Sequence, residues 1–369
     1  MSSERYQRHS LIDWFSQEDV FKANIAIVGC GAVGNEVAKN LALLGVKRLS
    51  LFDFDEIEHH NLTRSVLFRD EDVGHPKVLI AKKRLEEIES TINVAAYHGD
   101  FWNTLTLKML ETFDCVICCV DNFEARLKIN QLCLLTRTDL INTGIDSKFS
   151  QVEVYPFNKA KDVACFECNL PISAYEKIHE RYSCGWLRKV SFIERKIPTT
   201  IITSSLTGSL AAAWALNIIR AQGADISSRV LTDTFTGRSS TSEFTQNLNC
   251  PACGDLRENI SILSSRPRIE SQFNFTETQT SSVILSEPVV VSASCVECDI
   301  EKQSIFKKAS EFDSTFTVCP ECLQDTMEVV IKDTFSLFEL NSQFSGKDIP
   351  VKYVRFDTDS RTHIIEMEN

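Results

Sequence analysis

The sequence predicts an α/β protein: a mostly parallel sheet flanked by helices, followed by a small C-terminal module built around paired cysteines. Three observations carry this reading. Residues 25–155 alternate short apolar runs with longer amphipathic stretches, the pattern of strands that cross over through helices into a parallel sheet. A glycine-rich turn follows the first apolar run directly, and aspartates close two of the later ones. Past Cys253 the texture changes, and a polar stretch leads into a region with its own cysteine pairs.

Strands are expected at 25–28, 49–52, 94–97, 116–120 and 140–142. Between them, residues 35–44 place Val37, Ala38, Leu41 and Leu44 at helical spacing, with Gly45 positioned to end the helix. A second helix runs from about Val78 to Ser90, and 204–221, rich in Ala and Leu, reads as a third that closes near Gly223. Residues 256–282 are rich in Ser, Thr, Asn and Gln with little periodicity, which reads as a linker. Strand-like runs at 328–331, 351–356 and 363–367 then accompany a short helix after Asp333, capped by Thr334 or Ser336. The expected domains are therefore 1–255, the linker 256–282 and a C-terminal domain over 283–369.

At 369 residues and 43% hydrophobic, the chain can bury a full core. Its formal charge of -12, from 39 basic and 51 acidic residues, would repel a polyanion, so nucleic acid is not expected as a partner. There is no basic stretch followed by an apolar run at the N-terminus and no uninterrupted apolar run of about 18 residues, so no membrane is expected and a reducing cytoplasm is the default. Of 14 cysteines, eight fall in four Cys-x2-Cys pairs, a spacing that in an intracellular chain reads as thiolate metal ligation, with zinc the first candidate.

The first strand runs into Gly29-Cys30-Gly31-Ala32-Val33-Gly34 and then a helix, a Rossmann-like turn whose glycines let backbone approach a phosphate at the helix N-terminus. Nineteen residues past Gly34, Asp53 ends the next strand, where a carboxylate can accept ribose hydroxyls. A dehydrogenase has both features. It has no use for Asn61, Arg64 and Lys77, which bring donors and positive charge beyond Asp53 and suit a triphosphate. Asp121 closes a further strand at the same sheet edge, where it can hold magnesium. Singly, each has an ordinary alternative: Asp53 as a turn cap, Arg64 and Lys77 as solvated surface, Asp121 as the cap of the helix after Asn122.

In order along the chain, Arg5-Tyr6-x-Arg8, Gly29-x-Gly31-x-x-Gly34, Asp53-Phe54-Asp55, Asn61-Leu62-x-Arg64, Asp72-x-Gly74-x-Pro76-Lys77 and Asp121-Asn122 with Arg126 and Asn130, together with two Cys-x2-Cys pairs, resemble the ThiF/MoeB superfamily, which includes the ubiquitin-activating enzymes. The resemblance spans about residues 4–255. It implies a ThiF-type adenylation domain that uses ATP and Mg2+ to adenylate the C-terminal glycine of a ubiquitin-like or sulfur-carrier protein ending in Gly-Gly. Asp53 would bind ribose, Asn61, Arg64 and Lys77 the phosphates, and Asp121 magnesium, with Asp55 and Asn122 also among the nucleotide-binding residues. Arg8 would reach into the ATP site of the partner protomer of a homodimer.

The same resemblance joins Cys165, Cys168, Cys250 and Cys253 on one structural zinc, although 81 residues separate the pairs. Cys295, Cys298, Cys319 and Cys322, spaced by 20 residues, fit a self-contained zinc ribbon without that argument, so about two zinc ions per chain are expected. Cys30, Cys115, Cys118, Cys119 and Cys133 read as small core residues. Cys184 differs, because Arg181, Arg188 and Lys189 favour its thiolate and Gly185 leaves it accessible. It lies in the crossover region where ThiF and ubiquitin-activating relatives carry an acceptor cysteine, so it is the candidate for taking the acyl group as a thioester before transfer to a conjugating enzyme.

MoeB-type activation for molybdopterin or thiamine synthesis, without a catalytic cysteine, is the alternative. A peptide-modifying adenylyltransferase ranks behind it, and an NAD-dependent oxidoreductase or a catalytically silent scaffold is the reading from another class. No cysteine follows Cys322, so a persulfide-carrying rhodanese domain is not expected. By position the C-terminal module resembles the partner-recruiting domain of ubiquitin-activating enzymes; a dimer-stabilising or purely structural add-on fits its sequence equally.

Overall fold

Strand order follows from how the chain crosses over. In a computed structural model of the chain, the described residues are 4–159, 163–170, 198–223, 225–254, 260–265, 282–298, 300–302, 305–312, 314–357 and 362–367. They divide into two compact units, one drawn from Met1–Asn169 and Lys196–Asp255 and the other from Leu170–Arg195 and Leu256–Asn369.

After a short helix α1 (Gln17–Lys22), the first unit alternates β1 (Asn24–Val28), α2 (Ala32–Leu44), β2 (Arg48–Asp53), α3 (Lys77–Ile88) and β3 (Asn93–His98). Two single-turn helices, α4 (Phe101–Thr104) and α5 (Leu107–Leu110), lead to β4 (Cys115–Cys118), α6 (Phe123–Thr136) and β5 (Asp139–Ile145). β6 (Phe149–Tyr155), α7 (Ile201–Ile219), β7 (Ser228–Asp233) and β8 (Ser239–Glu243) complete it. The sheet order is β3-β2-β1-β4-β5-β6-β7-β8, parallel from β3 to β5 and antiparallel from β5 to β8. The five expected strands and three expected helices are present, and β6, β7 and β8 extend the sheet beyond the expected strands.

Helices α2 and α3 each bury one face against this sheet. Val37, Ala38 and Leu41 of α2 and Val78, Ala81 and Leu85 of α3 join Ile25, Ile27, Leu49, Leu51 and Ile117 in one buried cluster. α7 is the one helix among the described residues long and apolar enough to cross a membrane by length and composition. In this fold it is a core helix: Thr203, Thr207, Ala211 and Ala215 are buried, it packs on α2, β5 and β6, and Ser205 donates to the buried Glu36 of α2 at 3.0 Å.

The second unit is a seven-stranded sheet around β10 (Val283–Cys295), which pairs with β11 (Glu301–Lys302), β12 (Lys307–Lys308), β13 (Met327–Phe335) and β14 (Tyr353–Asp357). β15 (Thr362–Met367) pairs with β14 and, in parallel, with β9 (Ile260–Ser265). β9 corrects the linker reading, because part of 256–282 is a paired strand of this sheet. α8 (Leu337–Phe344) starts at the expected cap: Ser336 accepts from the Glu339 amide at 3.1 Å and Glu339 reaches back to the Ser336 amide at 2.9 Å.

Candidate functional site

Strands β1 and β4 lie side by side while the chain departs from β1 in one direction and reaches β4 from the other, so a crevice forms at their carboxyl ends. The glycine turn fills its floor. Gly29 has φ of +95°, and a Cβ on Gly34 would lie 2.0 Å from the Gly29 carbonyl oxygen, so neither position admits a side chain without moving the turn. Nothing lies within 4 Å of a Cβ on Gly31, the residue that caps α2, so the backbone there faces open space.

Asp53, at the end of β2, accepts from the Cys30 amide at 2.6 Å and the Asp55 amide at 2.8 Å. Burial pushes its carboxyl above the usual range, against the nearby Lys77 ammonium and these two amides, which pull it down. Lys77, the first residue of α3 and 8% exposed, is held by the Asp55 carboxylate at 2.6 Å, and its amide donates to the Asp55 carbonyl at 3.0 Å. The glycine turn, Asp53, Asp55 and Lys77 therefore form one connected set.

Asn61 and Arg64 lie between Asp55 and Lys77 in the sequence, and their side chains bond within their own turn. Asn61 completes a capping box with Glu58, accepting its amide at 2.9 Å, and its side-chain nitrogen meets the His60 ring at 3.2 Å. Arg64 donates to the His60 carbonyl at 2.7 Å. Asn35, fully buried and not singled out by the sequence, joins this loop to the turn: it donates to the Cys30 and Gly31 carbonyls at 2.7 and 3.0 Å and accepts the Leu67 amide at 3.0 Å. The signal was no more than a polar residue in the first turn of an apolar-faced helix.

Asp121 follows β4, and a Cβ on Gly29 would meet the nearby Cys119 carbonyl at 2.7 Å, which sets the Asp121 loop beside the turn. The cap of α6 is Asn122, which accepts the Ala125 amide at 2.8 Å, so Asp121 is not the cap and its exposed carboxylate accepts no hydrogen bond from a described residue. Asn122 spends its side-chain oxygen on that cap.

Arg8 stands apart from the crevice. Just before it, Arg5 donates to the Ile88 carbonyl at 2.6 Å, and the buried Tyr6 hydroxyl donates to Glu89, which also pairs with Arg5 at 3.4 Å and Lys47 at 3.3 Å. Burial pushes the Glu89 carboxyl up, but Tyr6, Thr91 and Lys47 together bring it down to about 2. Lys47 precedes β2 whereas Asp53 ends it, roughly 20 Å along a strand, so Tyr6 is docked at the sheet edge opposite the crevice.

The first cysteine cluster brings Cys165, Cys168, Cys250 and Cys253 within 4.8 Å of one another, all buried. Close sulfur pairs stand at 3.4, 3.6 and 3.9 Å, against about 3.8 Å for the edge of a tetrahedron with zinc–sulfur bonds of about 2.3 Å. Hydrogen bonding with the Cys165, Cys250 and Cys253 sulfurs, together with the Asn247 amide, holds the Cys168 thiol far below its ordinary range. Asn130 and Gln131 of α6 reach this knuckle through the Phe166 amide and Glu167. In the second cluster, Cys295, Cys298, Cys319 and Cys322 also lie within 4.8 Å, and the Thr326 hydroxyl contacts Cys295 and Cys322 at 3.1 and 3.2 Å. Both donor sets fit a tetrahedral thiolate metal such as zinc.

Burial pushes the thiols of Cys30, Cys115, Cys118 and Cys133 up, and that of Cys119 up to about 12. None is a poised nucleophile, which agrees with their reading as core residues. Cys184 lies outside the described residues.

Residues 5–253 match the model of the ThiF family. The chain is 28% identical over 262 residues to the sulfur carrier protein adenylyltransferase of Thermus thermophilus, covering 68% of this chain and 91% of that protein. It is 35% identical over 170 residues to SUMO-activating enzyme subunit 2 of Dictyostelium discoideum, where the match spans 45% of this chain and a quarter (25%) of the relative's length. Among solved structures, E. coli MccB crystallised with ATP superposes with a TM-score of 0.56 at 23% identity, covering 69% of this chain and 75% of that one. The matched region contains the glycine turn, the crevice aspartates, Lys77 and the first cysteine cluster, and the chain belongs to the ThiF family.

Proposed function

We propose that this chain uses ATP to adenylate the C-terminal glycine of a small ubiquitin-like or sulfur-carrier protein. The observation that carries the reading is the connected set of the glycine turn, Asp53, Asp55 and Lys77, in a ThiF-family chain that aligns with nearly the whole length of a sulfur carrier protein adenylyltransferase. In it, Asp53 takes the ribose hydroxyls, while Asn61, Arg64 and Lys77 take the phosphates. Asp121 would hold a magnesium ion, which when bound offsets charge on the phosphates. The carrier's carboxylate oxygen forms a bond to the α-phosphorus as the bond to the β-phosphate oxygen breaks and pyrophosphate leaves. Arg64 and Lys77 neutralise the charge that develops.

Arg8 serves the crevice of a second copy in a homodimer. Its segment is docked at the far edge of its own sheet, which favours action in trans. Mixing an Arg8→Ala subunit with an Asp121→Ala subunit should restore about one working site per dimer, and no rescue would argue against this placement.

Cys184 then takes the acyl group. Its sulfur forms a bond to the carrier's carbonyl carbon as AMP departs and the thiol proton is lost to solvent, leaving a thioester for a conjugating enzyme. The burial of four of the other unliganded cysteines, Cys30, Cys115, Cys118 and Cys133, supports this choice. The second reading, sulfur-carrier activation without Cys184, is favoured by the Thermus relative. Incubation with a Gly-Gly-ending carrier, ATP and labelled pyrophosphate separates the two. Carrier-dependent exchange establishes adenylation. A thiol-sensitive band that disappears in Cys184→Ala establishes the thioester, and one that persists removes the assignment.

A further inference from the structure

The buried polar groups between β5 and β6 lead from the middle of the sheet to the peptide that carries Asp121. Glu153 of β6 is 4% exposed and is touched by no cation among the described residues; it accepts from Asn142 at 2.7 Å, Gln151 at 3.0 Å and the Tyr155 hydroxyl at 3.1 Å. Asn142 and Glu153 are direct cross-strand partners. The Asn142 amide oxygen, on the opposite side of the same group, accepts from Arg126 at 2.6 Å. Arg126 also donates to the Thr143 carbonyl and, with its other terminal nitrogen, to the Val120 carbonyl.

The Val120 carbonyl belongs to the peptide unit that begins Asp121, so the guanidinium ties that unit to β5. On the other side, Asn122 is fixed by its cap. Asp121 is thus held at both neighbours while its carboxylate stays exposed. By accepting from the Asn142 side-chain nitrogen, Glu153 polarises that amide toward Arg126, and in a buried, low-dielectric setting each bond in such a chain strengthens the next.

We infer that Glu153, acting through Asn142 and Arg126, is a positioning residue that holds the Asp121 loop against the sheet and so sets where a magnesium ion is gripped. This rests on the reading of Asp121 as the metal-holding carboxylate. Planarity matters, because the guanidinium reaches three oxygens on β5 and the loop, and a lysine ammonium on a flexible stem does not reproduce that fork.

The test compares full-length Glu153→Gln and Arg126→Lys with the unaltered protein, by amide hydrogen exchange over residues 120–122 and by the magnesium concentration giving half-maximal pyrophosphate exchange. Both variants should lose about tenfold of the loop's exchange protection and need about tenfold more magnesium, while the KM for carrier stays within about twofold. A residue that merely supports the fold would lower the melting temperature without moving the magnesium requirement. Unchanged loop protection in both variants overturns the proposal, as does a loosened loop with normal magnesium dependence. Asp121→Asn tells the failures apart: if it too leaves the magnesium requirement unchanged, the metal reading has failed rather than the relay.

Discussion

Replacing Lys77 by alanine should lower carrier-dependent ATP–pyrophosphate exchange by about a thousandfold, or roughly 4 kcal/mol of transition-state stabilisation. The size follows from where the ammonium is held. Lys77 is 8% exposed at the start of α3, tied to Asp55 by both side chain and backbone, so it is a pre-set charge that needs little reorganisation when phosphates arrive. Asp55 is about half exposed (side-chain exposure 49%), so losing its partner leaves it in water, and the melting temperature should move by only a few degrees. Lys77→Arg keeps the charge but lengthens the side chain in a tight space, and should recover part of the rate. Near-normal exchange by Lys77→Ala, with a folded protein in hand, would remove the phosphate reading and with it the proposed chemistry.

How much of this site the sequence revealed depended on whether the signal was local. β1, the glycine turn, α2 and Asp53 were legible because apolar runs, helical spacing and a glycine that tolerates a positive φ are all properties of neighbouring residues. Two edge strands, β8 and β9, were not. β8 consists of Ser, Thr and Glu and is exposed along its length, so nothing in its composition separates it from a loop until β7 pairs with it. β9 sits in a polar stretch that becomes a strand only by pairing with β15, about a hundred residues away.

The same distinction divides the side chains. Asp121 was singled out by its place at a strand end, yet the group that orients its peptide, Arg126, reaches it from inside α6 and takes its own bearings from Asn142 and Glu153 on two other strands. Arg126 and Asn130 entered as motif members without roles. Four residues apart, they lie on one face of α6, the first holding the Asp121 loop and the second the Cys165-x2-Cys168 knuckle. That helix therefore joins the crevice edge to the first cysteine cluster, a link that spacing along the chain does not reveal.

The cluster at that end of α6 should be the point whose loss costs the first unit most stability. Cys165→Ser should reduce bound zinc from about two ions per chain to about one and lower the first unit's melting temperature by about 10 °C or more. The four sulfurs can close a tetrahedron around one ion between two segments 81 residues apart, and without the metal that clasp between the segments is lost. Because Cys168 already draws the Asn247 amide and its three neighbours, one missing thiolate unbalances the whole set rather than a single bond. Cys319→Ser should also remove one zinc, but from the second unit, where the cluster ties the end of β10 to the start of β13, and it should leave pyrophosphate exchange largely intact. Metal analysis with calorimetry checks both variants, and a Cys165→Ser protein that retains two zinc ions and an unshifted transition would show that these four thiols hold no metal.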